Sequence, residues 1–226
     1  MSELKNMRGL CVDASCLVMG PLQNNVYLIS DGAGAMVVDQ TADAEGIVSA
    51  LGDVRLDAIV LTHGHWDHTG AAAKLRALTG APVYAGVADA DHIEAPVDDG
   101  TSRTAEACPV DVRVSTGDAI GVGGMQWKVM ETPGHSPGSI CLFIVPPFGN
   151  HADGLPVLVS GDTLFEGTVG RTDFEGGSLA EMAASIKKLA ALPDDTAVLP
   201  GHNNLTTIGA ERRRVFTRFG DEPEEQ

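Results

Sequence analysis

His63, His65, Asp67 and His68 crowd into the stretch "LTHGHWDHTG" (residues 61–70), in a chain with only 7 histidines. At the chain's own histidine and aspartate frequencies, such a string arises by chance in roughly one sequence in two thousand, so the crowding asks for a cause. Burying three imidazoles and a carboxylate for packing alone is costly, because each loses water without gaining a partner. Metal binding removes that cost. Neutral imidazole and carboxylate are the donors that suit zinc, iron or manganese. His63 and His65 are two positions apart, which on a helix would turn them roughly 200° from one another. They therefore belong to a loop or strand end after "AIVLT", with Asp67 and His68 where the next helix starts.

Three further donors stand alone in turns: His135 in "PGHSPGS", Asp162 in "GDTLF" and His202 in "GHNN". A single Gly-His or Gly-Asp is usually only a turn. Here each follows an apolar run, "MQWKVMET", "LPVLVS" and "TAVLP", and sites of layered α/β folds gather at the carboxyl ends of strands. The remaining histidines, His92 and His151, are read as surface residues.

The elements that must position these donors are short and β-rich. "NVYLIS", "AMVVD", "LDAIVLT" and "SICLFIV" join the three runs above, and several are continuously apolar, as strands covered on both faces are. Helix-like segments lie between them. "DAEGIVSAL" is one; "GAAAKLRALTG" ends on Gly80 as a C-cap; "SLAEMAASIKKLAAL" starts at Ser178 with Glu181 in a capping-box pattern and closes before Pro193. Two groups of strands with interspersed helices predict a sheet-rich α/β sandwich, one domain over residues 1–220. Residues 87–117, polar and rich in Asp, Pro and Gly, read as a surface excursion, and residues 221–226 as an acidic solvated tail.

The formal net charge of −16 opposes a nucleic-acid partner and an anionic membrane surface, both of which need a basic footprint. "MSELKNMRGL" has no apolar stretch of a signal peptide, and no apolar run approaches the ~20 residues that span a bilayer. Cys11, Cys16, Cys108 and Cys141 form no C-x-x-C pair and read as ordinary thiols of a reducing cytoplasm, Cys141 within a strand core.

Taken together, "THGHWDH", "TPGHSPGS", "SGDTLF" and "LPGH", in this order and spacing, resemble the metallo-β-lactamase superfamily across nearly the whole chain. The resemblance implies an αββα four-layer sandwich with two divalent ions, zinc first and iron or manganese as alternatives. On that carry-over His63, His65 and His135 hold one ion, Asp67, His68 and His202 the other, and Asp162 bridges them. Asp39 supports the histidine loop, although a plain strand-end role suits it nearly as well. The reaction implied is attack by a metal-bridging hydroxide, oriented by Asp67, on an activated carbonyl or phosphoester.

"GDTLFEGTVGRTDFEGG" and "LPGHNNLTTIGAERR" are similar to the short hydroxyacylglutathione hydrolase (glyoxalase II-like) branch. That implies a small-molecule thioester such as S-lactoylglutathione as the partner, with Arg171 and Phe174 as substrate contacts; a salt bridge of Arg171 with Asp173 is the competing reading. The chain departs from the branch at Gln40, where proline is usual, at Asn203, where glycine is, and in ending soon after His202 without a helical glutathione-gripping domain. The persulfide dioxygenase branch, with one iron on the positions of His63, His135 and Asp162, is the main alternative. A lactonase stands behind it. A nuclease is disfavoured by charge, and a non-catalytic redox partner by the complete ligand string. The sequence sets no oligomeric state.

Overall fold

A computed structural model describes residues 4–97 and 104–219. The first sheet has the order β1 (Lys5–Met7), β2 (Asp13–Met19), β3 (Asn24–Ser30), β4 (Ala35–Val38), β5 (Leu56–Leu61), β6 (Val83–Gly86) and β7 (Val112–Val114). Pairing is antiparallel from β1 to β4 and parallel from β4 to β7. The parallel part needs crossovers, supplied by helices α1 (Ala44–Leu51), α2 (Trp66–Thr69), α3 (Ala72–Thr79) and α4 (Val87–Glu94). The second sheet holds β8 (Ala119–Val122), β9 (Met125–Glu131), β10 (Ile140–Ile144) and β11 (Val157–Gly161). After the hairpin of β12 (Leu164–Phe165) and β13 (Thr168–Val169) comes α5 (Leu179–Leu189). Then β14 (Ala197–Pro200) and β15 (Thr206–Thr207) complete that sheet in the order β15-β14-β11-β10-β9-β8.

Strand periodicity explains the layers. Met36 and Val38 of β4 point between the sheets, where they join Tyr27, Trp127, Leu142 and Val159, while Val37 points outward to Ile47, Leu75 and Ile93. In β10, Leu142 faces the inter-sheet core, and Cys141 and Phe143 face Met182, Ile186 and Val215 on the other side. Both strands are buried on two faces, which is why they read as unbroken apolar runs. The result is helix, sheet, sheet, helix: the four-layer αββα sandwich that the resemblance implies.

The expected strands and helices are present, with one reassignment. Residues 87–117 are not a surface excursion. Val87–Glu94 is a helix whose Ala90 and Ile93 are buried in the outer core with Cys108 and Val110, and Val112–Val114 extends the first sheet. Only two apolar positions three residues apart anchor α4, and Asp89, Asp91, His92 and Glu94 dilute that signal. Residues 98–103, within that span, and the tail 221–226 lie outside the described residues.

Gly80 caps α3 in the left-handed conformation, its N–H donating to the Arg76 carbonyl. Ser178 caps α5 by accepting from the Glu181 N–H at 3.3 Å, but the reciprocal half of a capping box is not made: the Ser178 N–H donates instead to the Gly134 carbonyl at 2.9 Å. That bond ties α5 to the turn carrying His135. Among the described residues no helix is long and apolar enough to cross a membrane.

Candidate metal centre

The carboxyl ends of β5, β11 and β14 meet at one edge of the sandwich, together with the β9–β10 turn. β11 and β14 run parallel with a bulge between Val159 and Gly161, and the Gly201 N–H donates to the Gly161 carbonyl at 2.9 Å. Asp162 and His202 therefore leave their strands side by side. A side chain at Gly201 is impossible, since its Cβ would lie 2.4 Å from Asp162 Oδ1 and 2.7 Å from His68 Cε1.

Two cradles result. His63, His65 and His135 bring one ring nitrogen each to within 4.8 Å of one another, and so do the donor atoms of Asp67, His68 and His202. In the first, His65 Nδ1 faces His135 Nε2 at 2.9 Å. In the second, His68 Nε2 and His202 Nε2 are 3.2 Å apart, with Asp67 Oδ2 at 3.4 and 3.3 Å from them. Asp162 spans both: Oδ2 lies 3.5 Å from His135 Nε2 and 3.5 Å from His202 Nε2, and Oδ1 lies 3.5 Å from His68 Nε2.

The donor set fits a pair of cations. His63 Nε2 and Asp162 Oδ1 are buried without a hydrogen-bond partner in the protein, which neutral packing would not tolerate. His68 and His202 spend Nδ1 on Asp39 and on the Leu22 carbonyl, which turns their Nε2 lone pairs towards each other, an arrangement equally unfavourable unless a cation lies between them. Asp39, His63 and His68 also cluster, but Asp39 is already committed. Its Oδ1 accepts from the Thr62 N–H at 2.8 Å, and its Oδ2 accepts from Thr62 Oγ1 at 2.7 Å and lies 3.0 Å from His68 Nδ1. It orients His68 and the residue before His63, a carboxylate–histidine support of the kind metal sites use.

Electrostatics separate the cradles. Burial, reinforced by neighbouring imidazoles, pushes His63 and His65 down and His135 to about 4, so this cradle offers neutral nitrogen donors. In the other, burial would lower His68 and His202, but the surrounding carboxylates outweigh it and raise both. Burial would raise Asp67, yet hydrogen bonds to His202, His68 and Asn24 hold it well below the usual carboxylate range. Asp162 is pushed up to about 6, chiefly by burial.

Several supports are invisible in the sequence pattern. Asp89 of α4, buried, accepts from the Gly64 N–H at 2.8 Å, Ser136 Oγ at 2.6 Å and the Gly138 N–H at 2.7 Å. It clamps together the loops that carry His63, His65 and His135. The Arg171 carbonyl lies 2.7 Å from His135 Nδ1 and fixes that ring. The Arg171 side chain is half of the salt bridge, at 2.9 and 2.8 Å to Asp173, and its guanidinium lies over the Phe174 ring at 4.3 Å. Phe174 stands at the first cradle, 5.2 Å from the His65 ring and 5.8 Å from that of His135. A cavity of about 930 Å³ opens above both cradles, walled by Leu22, Phe165, Val169, Phe174, His92 and Val97. His92 is exposed as expected, but at the mouth of this cavity. His151 is exposed and pairs with Asp13 at 2.8 Å.

The chain matches the sequence profile of the Metallo-beta-lactamase superfamily over residues 19–202. It is 32% identical over 201 residues to the hydroxyacylglutathione hydrolase GloC of Haemophilus influenzae, covering 84% of this chain and 91% of that protein. Its fold is similar to that of BLEG-1, a B3 metallo-beta-lactamase (TM-score 0.80, 34% identity, 90% of this chain and 98% of that one). It is also similar to TTHA1623 in a di-iron-bound form (TM-score 0.73, 34% identity, 88% and 97% covered). ETHE1 from Myxococcus xanthus is a further neighbour (TM-score 0.69, 29% identity, 92% and 84% covered).

Proposed function

The chain belongs to the metallo-β-lactamase superfamily and is a metal-dependent hydrolase of that fold; on that premise we propose that it cleaves a small-molecule thioester, S-lactoylglutathione being the representative substrate. The observation that carries the proposal is the completeness of the paired cradle, with Asp162 reaching both halves. Similarity over most of both chains to a hydroxyacylglutathione hydrolase supports the thioester. Two ions bound there would lower the pKa of water from 15.7 to about 7 and stabilise developing negative charge, which is what a hydrolysis without a serine or cysteine nucleophile needs.

The protein's own residues have distinct tasks. His63, His65 and His135 would hold one ion as neutral donors and Asp67, His68 and His202 the other, with Asp162 within reach of both. Asp67 also orients the attacking water. Phe174 forms an apolar wall beside His65 for the acyl or thiol portion, and Arg171 lines the cavity with its guanidinium over the Phe174 ring. The buried free thiols accord with a reducing cytoplasm. The net charge of −16 accords with a small-molecule substrate rather than nucleic acid or membrane.

A second reading, persulfide dioxygenation at one iron held by His63, His135 and Asp162, is favoured by this 2-His-1-carboxylate set and by the loop "GRTDF" (residues 170–174), which resembles that of the dioxygenase branch. One experiment separates the two. Protein reconstituted with zinc, iron or manganese is assayed for hydrolysis of S-D-lactoylglutathione, with and without chelator, and for oxygen uptake with glutathione persulfide. Chelator-sensitive hydrolysis with about two ions per chain is expected. Oxygen uptake at one iron per chain without hydrolysis would reject the thioesterase.

A further inference from the structure

We propose that Asn24 is the positioning residue of the second cradle: its amide pins Asp67, and through it the second ion. The inference rests on the reading that Asp67, His68 and His202 take an ion. Asn24 opens β3 and is fully buried. Its Nδ2 donates to Asp67 Oδ2 at 2.8 Å, and lies 3.2 Å from His68 Nε2 and 3.4 Å from His202 Nε2. All three atoms of that cradle thus touch one amide group, whereas none of the contacts Asn24 makes reaches the first cradle.

Chemistry selects among the three contacts. The inward ring nitrogens give their lone pair to an ion and then have nothing left to accept with. A carboxylate oxygen keeps further lone pairs, so the bond from Asn24 survives occupation of the site. Oδ1 of Asn24 has no hydrogen-bond partner, so nothing on that side competes for the amide's orientation. Asp67 sits on a helix of only 4 residues, and the bond from Asn24 ties its carboxylate to β3. A neutral donor is also the right type: lysine would repel the ion, and a carboxylate would repel Asp67.

The neighbours of Asn24 keep it in register with His202. The Asn25 N–H donates to the Gly201 carbonyl at 2.8 Å, Asn25 Nδ2 donates to the Pro200 and Asn203 carbonyls at 2.9 and 3.0 Å, and the Tyr27 hydroxyl donates to Pro200 at 2.7 Å. One strand of the first sheet thereby carries the anchor of Asp67 and the staple of the His202 turn in the second sheet.

The test is a stepwise titration of metal-free protein with Zn2+ by calorimetry, on the full chain, for wild type, Asn24→Ala and Asn24→Leu. Leucine keeps the volume and removes the donor, which separates a lost hydrogen bond from a cavity. We expect wild type to take two ions, and both variants to bind the first ion as wild type does and the second about 10- to 100-fold more weakly. Three results overturn the proposal: an unchanged second-ion affinity in Asn24→Ala, recovery of that affinity in Asn24→Leu, or equal weakening of both ions. A wild type that takes a single ion rejects the two-ion reading itself, and the proposal with it.

Discussion

The two cradles of one centre are built on opposite electrostatic plans. His63, His65 and His135 have no carboxylate of their own; burial and mutual repulsion keep their rings neutral, and Asp89 clamps the loops that carry them. Asp67, His68 and His202 are interleaved with carboxylates, and their support comes from Asp39 and from β3. The first half offers the lone pairs of neutral imidazoles. The second supplies the compensating charge. The difference teaches that a paired site can be divided into parts held by different elements, with Asp162 reaching both.

That division can be attacked in order of expected effect. Asp162→Ala removes the shared carboxylate, so hydrolysis should fall below detection and metal content should drop from about two ions per chain towards one or fewer, read by turnover and elemental analysis together. Full retention of both quantities would dissolve the pairing of the cradles. Asp89→Ala should act on the first half and on folding at once. Its carboxylate accepts three hydrogen bonds, each worth about 1.5–3 kcal/mol to a charged group, so several kcal/mol of stability should vanish in urea melts. Loss of the second ion before the first in that variant would contradict the assignment of Asp89 to the first half.

Smaller effects lie at the rim. Phe174→Ala removes an aromatic wall next to His65 and His135 but no donor, so KM should rise by about 3- to 10-fold with kcat and metal content unchanged. A kcat change of that size instead would mean that the ring positions the histidines. Arg171→Ala should leave the urea melt nearly unchanged, because both Arg171 and Asp173 are largely exposed and water screens the pair. Its effect on KM then reports substrate contact together with the support the guanidinium gives the Phe174 ring.

How much of this was legible beforehand follows from the kind of signal each residue leaves. A histidine string is rare by composition, so "HGHWDH" announces itself, and His135, Asp162 and His202 follow from their place after apolar runs. Asn24 leaves no trace, because "QNN" in a turn is what any loop contains and its role depends on Asp67, 43 positions away. Asp89 is hidden among the acids of α4, and its partners lie 25 to 49 positions distant. β2 and β8 escaped for a related reason: "DASCLVM" alternates imperfectly between covered and open positions, and "AIGV" is too short to show a period.

What the sequence determined by itself is the donor chemistry, the placement of donors at strand ends and the layered class of fold, because these depend on residue type and on short-range periodicity. Tertiary structure alone decided which donors share a cradle, which imidazoles stay neutral and which buried polar groups hold them. Those properties are set by distances and burial across the two sheets, and they exist only once β3, β5, β11 and β14 bring one end each to the same edge of the sandwich.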